Sequence, residues 1–220
     1  MAPMRRGLSR DEIEARDRIM RMSEAVERAI GQAMRCFREH DLEGAREVVA
    51  GDTVINELQR SIEQGCFAAI ALQQPVASDL RDLVSDMHIA AELERIADHA
   101  ADIAKIVLQM QTPPLPVFVE ALERLGHECG TMLGQVMVAC RDRDAAAARA
   151  VAAEDEGVDR FEKQITADLL GHLGEHADQI RSCTYALWVA HNIERIGDRV
   201  TNIAERVVFM ATGEYVDLNR

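Results

Sequence analysis

The chain has 220 residues, a net charge of −13, and a composition that is 48% hydrophobic, 29% charged and only 4% aromatic. That mixture is globular rather than disordered, and the length allows one large domain or two small ones. The acidic balance repels nucleic-acid backbone and anionic lipid, which leaves cations and basic protein surfaces as electrostatic partners.

Abundant Ala, Leu, Arg and Glu with few prolines favour helix over sheet. Six helical stretches follow in chain order. The first covers 9–39 and opens with the capping-box pattern Ser9-Arg10-Asp11-Glu12. Asp41 caps the second, which runs to 73, where Pro75 pushes the residue before it out of helical geometry. The third covers 76–111 and stops at Thr112-Pro113-Pro114-Leu115-Pro116, the clearest break in the chain. The fourth covers 117–141. The fifth starts at Asp144 and ends between Gly171 and Gly174, and the sixth covers 178–211. Long helices joined by short turns form antiparallel bundles. The expected architecture is all-α, with two tandem three-helix bundles at 9–112 and 116–213.

The halves repeat in sequence. ELERIADHAADIAK (92–105) and NIERIGDRVTNIAE (192–205) share six of fourteen positions at an offset of 100. AREVVAGDTVINELQRSI (45–62) aligns with ARAVAAEDEGVDRFEKQI (148–165) at an offset of 103. Two matched segments in the same order at nearly the same offset indicate an internal duplication.

Glu94, Asp98 and Asp102 recur at i, i+4 and i+8, within about 80° of helical arc. Like charges so spaced destabilise a helix by a few tenths of a kcal/mol per pair, so something must offset them. The duplicate offers Glu194, Asp198 and Asn202. The second helix adds Asp52 and Asn56, with Glu63 farther along, and the fifth adds Asp155 and Asp159. If the helices of each half pack side by side, each half brings two oxygen-rich ladders together. The apolar stripes Ile89, Leu93, Ile96, Ala100, Ile103, Val107 and Ile193, Ile196, Val200, Ile203 face the core, which places the acids nearly opposite, on the bundle surface. Leu83, Met87 and Ala91 on the acid face suggest an interface. A solvated acidic face is the plain alternative, and Arg95, Arg195 and Lys105 stand ready as its ion-pair partners.

Oxygen-only ligation suits Mg²⁺, Mn²⁺, Fe or Ca²⁺, and less typically Zn²⁺. None of the seven histidines has Glu or Asp three residues before it, which argues against a buried di-iron centre. His172 and His176 read as exposed residues of a helix end, and His191 as a minor ligand at most. His88 and Trp188 hold equivalent repeat positions and read as packing or partner-facing residues. The five cysteines never form CxxC and sit among apolar neighbours, as reduced core thiols do. With no apolar leader and no apolar run of about 20 residues, a cytoplasmic protein without direct membrane insertion is expected. No phosphate-cradling glycine loop or nucleophile elbow points to catalysis.

Gln73-Gln74-Pro75-Val76-Ala77-Ser78-Asp79-Leu80-Arg81 resembles the QQPVAxDLR turn of the PhoU family, and Glu94-Arg95-Ile96-Ala97-Asp98 and Glu194-Arg195-Ile196-Gly197-Asp198 resemble its two ExxxD motifs. The likeness covers about residues 10–213. It implies two symmetric three-helix bundles with multinuclear metal sites on their surfaces. It further implies a negative regulator of phosphate uptake and phosphate-starvation signalling, an adaptor between a phosphate ABC transporter's ATPase subunit and a sensor histidine kinase, and a homodimer. Carried over, the ligands are Glu94, Asp98, Glu194 and Asp198, with Asp102 and Asn202 on the next turn and Asp52, Asn56, Asp155 and Asp159 on the facing helices. Asn56 opposite Asp159, and Asp102 opposite Asn202, make the two sites chemically unequal. The competing reading is a metal-dependent phosphohydrolase or metal-storage protein, for which only Arg95 and Arg195 offer a phosphate clamp.

Overall fold

The computed structural model describes residues 10–219. Six helices carry the fold: α1 (Arg10–Glu39), α2 (Leu42–Gln73), α3 (Ser78–Gln109), α4 (Pro116–Asp142), α5 (Ala145–Glu175) and α6 (Ile180–Thr212). Among the described residues there is no strand. Ser9 and its capping box lie outside them.

The corners show the duplication in backbone detail. His40 and Arg143 both adopt left-handed φ, 51° and 56°, and each is followed by an aspartate that caps the next helix. Asp41 accepts from the Gly44 amide at 3.0 Å, and Asp144 from the Ala146 and Ala147 amides at 2.9 Å, satisfying donors that a helix start leaves bare. The Asp41 and Asp144 amides return to Cys36 and Ala139 carbonyls, again an exact repeat at offset 103.

Three boundaries differ from expectation. α3 begins at Ser78 rather than 76, because the chain needs Gln74 and Ala77 at positive φ to round Pro75. α5 continues through Gly171 and Gly174 to Glu175. Glycine costs a helix only about 1 kcal/mol, and here His172 bonds Gln179 Oε1 at 2.9 Å and sets its ring edge-on to Phe118, holding the last turn. Before α6 the chain makes a 3-10 turn (Ala177–Gln179).

α3 packs on α1 and α2, and α6 on α4 and α5; the halves then join along α1 with α4 and along α3 with α6. The buried residues form one continuous core spanning both halves. All ten residues of the two predicted apolar stripes are fully buried. So is Leu83, which the sequence placed on the acid face: α3 packs against α1, α2 and α6, so its buried surface is wider than one apolar stripe. All five cysteines are free and buried.

The α3–α6 seam is a pseudo-twofold. His99 Nδ1 lies 3.0 Å from Asn192 Oδ1, and the residues at the matching positions, Arg199 and Glu92, form an ion pair at 3.5 Å. Asn202 also donates to Glu92 Oε2 at 3.1 Å. One polar contact has thus been rewritten as two different chemistries, a neutral pair and a charged one. A third tie crosses the halves: buried Asp82 of α3 pairs with Arg16 of α1 at 3.5 Å and with Arg143 of the α4–α5 corner.

Candidate metal-binding grooves

Each acid ladder lies in the groove between the two helices that carry it, α2–α3 in the first half and α5–α6 in the second. The expected surface position holds for exposed Asp98, and the other ladder residues sit deeper than an outer face alone would put them. Asp98 is exposed, whereas Glu94, Asp102, Asp52, Asn56, Glu194, Asp198, Asn202 and Asp159 are half-buried and Asp155 is buried. The reason is tertiary. α2 packs along the Glu94 side of α3 and brings Asp52 across from it, while Asp98 stays on an outer ridge with exposed His88, Arg95 and Lys105; α5 likewise brings Asp159 toward Glu194 of α6.

The facing ladders meet electrostatically. Glu94 is held above the usual carboxylate range first by burial, then by Asp98 of its own helix and Asp52 across the groove. Asp52 is raised by burial and then Asp98. In the second groove, burial, Asp159 and Asp198 push Asp155 up to about 6, with the Thr201 hydroxyl opposing. Burial and Asp198, with Arg195 opposing, push Glu194 up to about 7. A carboxylate that is buried beside others resists ionisation, and a cation relieves both burdens.

The grooves are unequal in depth for a visible reason. A Cβ at Gly197 would come 2.6 Å from Asp155 Oδ1, so only glycine lets Asp155 lie flat against α6. The matching residue on α3 is Ala97, and its Asp52 is correspondingly less buried. The ERIGD and ERIAD variants of the motif therefore set how deep the facing aspartate sits. That signal was present in the sequence, but its meaning required the helix pairing.

Some predicted ligands are engaged elsewhere. Asn202 turns to Glu92 across the seam. Asp102 takes Lys105 at 2.7 Å, and Asp159 takes Lys163 at 3.2 Å. Arg195 binds Asp198 at 2.5 Å, whereas Arg95 turns away from Glu94 to Glu92. Asn56 donates to Asp52 at 3.0 Å. Among the described residues no three His, Cys, Asp or Glu side chains already converge on one point. Yet Asp52 Oδ1, Asn56 Oδ1, Asp155 Oδ1 and Glu194 Oε2 are buried with no hydrogen-bond partner. Buried oxygens left bare cost about 1–3 kcal/mol each, and an oxygen-seeking cation is the ligand that this donor set fits. His191 Nδ1 sits 3.5 Å from Glu194 Oε2, and His172 and His176 stack on each other at the far end of α5. His88 and Trp188 are both exposed, with Trp188 edge-on to Tyr185.

Fold and grooves together define a class: an all-helical protein made of two fused three-helix bundles, each with a half-buried carboxylate groove. The profile of the PhoU domain matches residues 19–107 and 122–207, and the chain belongs to the PhoU family. It is 36% identical over 203 residues to a Caulobacter vibrioides protein described as a phosphate-specific transport system accessory protein PhoU homolog, covering 92% of this chain and 88% of that one. The crystal structure of the phosphate transport system regulatory protein PhoU from Streptococcus pneumoniae superposes with a TM-score of 0.88 at 32% identity, covering 94% and 97% of the two chains. PhoU from Pseudomonas aeruginosa gives a TM-score of 0.89 at 29% identity, covering 93% and 98%. Among the described residues no helix is long and apolar enough to cross a membrane.

Proposed function

We propose that this protein is a cytoplasmic, non-enzymatic repressor of phosphate uptake and phosphate-starvation signalling, acting as a metal-binding adaptor between a phosphate ABC transporter's ATPase subunit and a sensor histidine kinase, and working as a homodimer. The observation that carries the metal part is the duplicated groove of buried, unpartnered oxygens in a chain of this family. Glu94, Asp98, Asp102, Asp52 and Asn56 would hold Fe, Mn²⁺, Mg²⁺ or Zn²⁺ in the first groove, and Glu194, Asp198, Asn202, Asp155 and Asp159 in the second, with room for more than one ion. The cation would neutralise carboxylates that otherwise repel one another, and so stiffen the α2–α3 and α5–α6 pairs that a partner meets. Against a phosphohydrolase, both clamp candidates are taken: Arg95 and Arg195 are each committed to a carboxylate of their own helix.

Two measurements test this. Deleting the protein should derepress phosphate-responsive transcription and uptake in high phosphate; unchanged expression and uptake would sink the regulatory reading. Elemental analysis of the purified protein should show bound metal that a Glu94→Ala, Asp98→Ala double variant loses in part. Unchanged metal in that variant would remove the first groove as a site.

A further inference from the structure

Lysine is nearly absent from the chain. Of its 25 Lys and Arg side chains only Lys105 and Lys163 are lysine. These two fall one at each groove, on carboxylates of the ladders. Lys105 Nζ lies 2.7 Å from Asp102 Oδ1 at the first, and Lys163 Nζ lies 3.2 Å from Asp159 Oδ2 at the second. The duplication does not account for the match. Lys105 stands on α3, where the repeat has Glu205, and Lys163 stands on α5, where the repeat has Arg60. Each groove therefore takes its ammonium from a different helix of the pair. Away from the grooves the same one-turn spacing is filled by arginine, as in Glu43–Arg46, Arg124–Glu128 and Glu156–Arg160.

Each lysine acts on more than the carboxylate it touches. The Lys105 ammonium is raised above its ordinary range first by its hydrogen bond to Asp102, against partial burial, and then by the charges of Asp102, Asp98 and, across the groove, Asp52. Lys105 in turn opposes the upward shift of Asp52. Lys163 pairs with Asp159, the carboxylate that presses on both Asp155 and Glu194. The two lysine side chains remain 51% and 71% exposed, so their stems have open solvent to turn into. Lysine suits an exchange of this kind. Its ammonium is a compact point charge on a flexible stem, whereas an arginine fork grips a carboxylate in a fixed plane.

We propose that Lys105 and Lys163 are tethered counter-cations of the grooves, each neutralising a carboxylate until a divalent cation displaces it. The inference rests on the metal-groove reading above and adds a threshold to it. A cation enters only at a concentration that outcompetes a charge already on the chain, and each ammonium then turns out to solvent. Metal occupancy is thereby expressed as two positive charges that change position on the surface, a change of the kind a partner protein reads. The first groove responds more strongly, because Lys105 acts on three carboxylates, whereas Arg195 keeps a charge on Asp198 in the second.

The test is Mn²⁺ titration of the full-length protein, followed by electron paramagnetic resonance, beside NMR of protein labelled with ¹³C only at lysine. Lys105→Gln should bind Mn²⁺ about fivefold more tightly than the wild type, and Lys163→Gln about twofold. Lys105→Arg should bind no more tightly than the wild type. Arg141→Gln, which removes the same charge from α4, should leave affinity unchanged. In EDTA the labelled wild type should give two side-chain signals displaced from that of free lysine, and Mg²⁺ should move both toward it. If the wild type binds Mn²⁺ but the two Gln variants bind it identically, or if the lysine signals ignore Mg²⁺, the lysines are ordinary surface partners and the grooves stand. If neither the wild type nor Lys105→Gln binds Mn²⁺, the metal reading falls and takes this one with it.

Discussion

Glu194 offers the sharpest check on the electrostatics of the grooves. Its carboxyl faces Asp198, Arg195 and His191 on its own helix and Asp159 and Glu162 on α5, and burial with Asp198 raises it from 4.5 to about 7. Between those two values the native state holds a proton that the unfolded chain has released. Unfolding therefore expels a proton in that window, and stability must fall as pH rises through it, with the whole loss present above about 7. A rise of about 2.5 pH units corresponds to about 3 kcal/mol. The side chain is 24% exposed, so water screens part of the repulsion and about 1–2 kcal/mol is expected. Glu194→Gln keeps the shape and removes the titration. Urea unfolding in EDTA at pH about 5 and about 8 should show the wild type losing this amount at the higher pH, and the variant losing clearly less. Glu154→Gln, at an exposed position on α5, serves as the control for generic charge removal. If the wild type is equally stable at both pH values, or if Glu194→Gln is no more stable than the wild type at pH 8, Glu194 is not the strained carboxylate described above.

Leu93→Ala, at a fully buried position of α3, should destabilise by about 2–5 kcal/mol in urea titration at any pH. Arg143→Ala strips Asp82 of its corner partner and leaves a buried carboxylate with Arg16 alone. A loss of about 2–4 kcal/mol is expected, and a double-mutant cycle with Asp82→Ala should recover part of it. Gly197→Ala should force Asp155 outward, because the new methyl and Oδ1 cannot share the space. The Asp155 carboxyl should then titrate nearer the ordinary range by NMR, and an unmoved titration would show that α6 gives way instead.

The helical order, the duplication and the core stripes were legible in the sequence because each is a local or periodic property. Ile89 through Val107 repeat at the spacing of one buried face, and Asp41 and Asp144 announce helix starts by their chemistry. The depth of the acid ladders was not legible. It depends on α2 lying along the Glu94 side of α3 and α5 along the Glu194 side of α6, a pairing that an isolated amphipathic helix does not reveal. Leu83 was misplaced for the same reason: an angle on an isolated helix does not say how many neighbours enclose it. Gly171 and Gly174 misled in the opposite direction, since a contact from Gln179 and Phe118 outweighed their weak helix propensity. The path of residues 213–219 left no trace in periodicity, for it is set by left-handed Gly213, by Phe209 and Glu205 of α6 and by the packing of Val216 and Leu218 on the core.

The pseudo-twofold seam between α3 and α6 has a further consequence. In an assembly of two separate, identical chains, every change at such a seam appears twice, and the halves separate on dilution. Here both copies belong to one polypeptide, so each half meets the other at an effective concentration fixed by the short joint at residues 110–115, whatever the cell contains. Association no longer has to be maintained by matched contacts. His99–Asn192 and Glu92–Arg199 were free to part company, and with them Lys105 from Glu205 and Ala97 from Gly197. Fusion turned a symmetric object into one whose two ends can answer different signals.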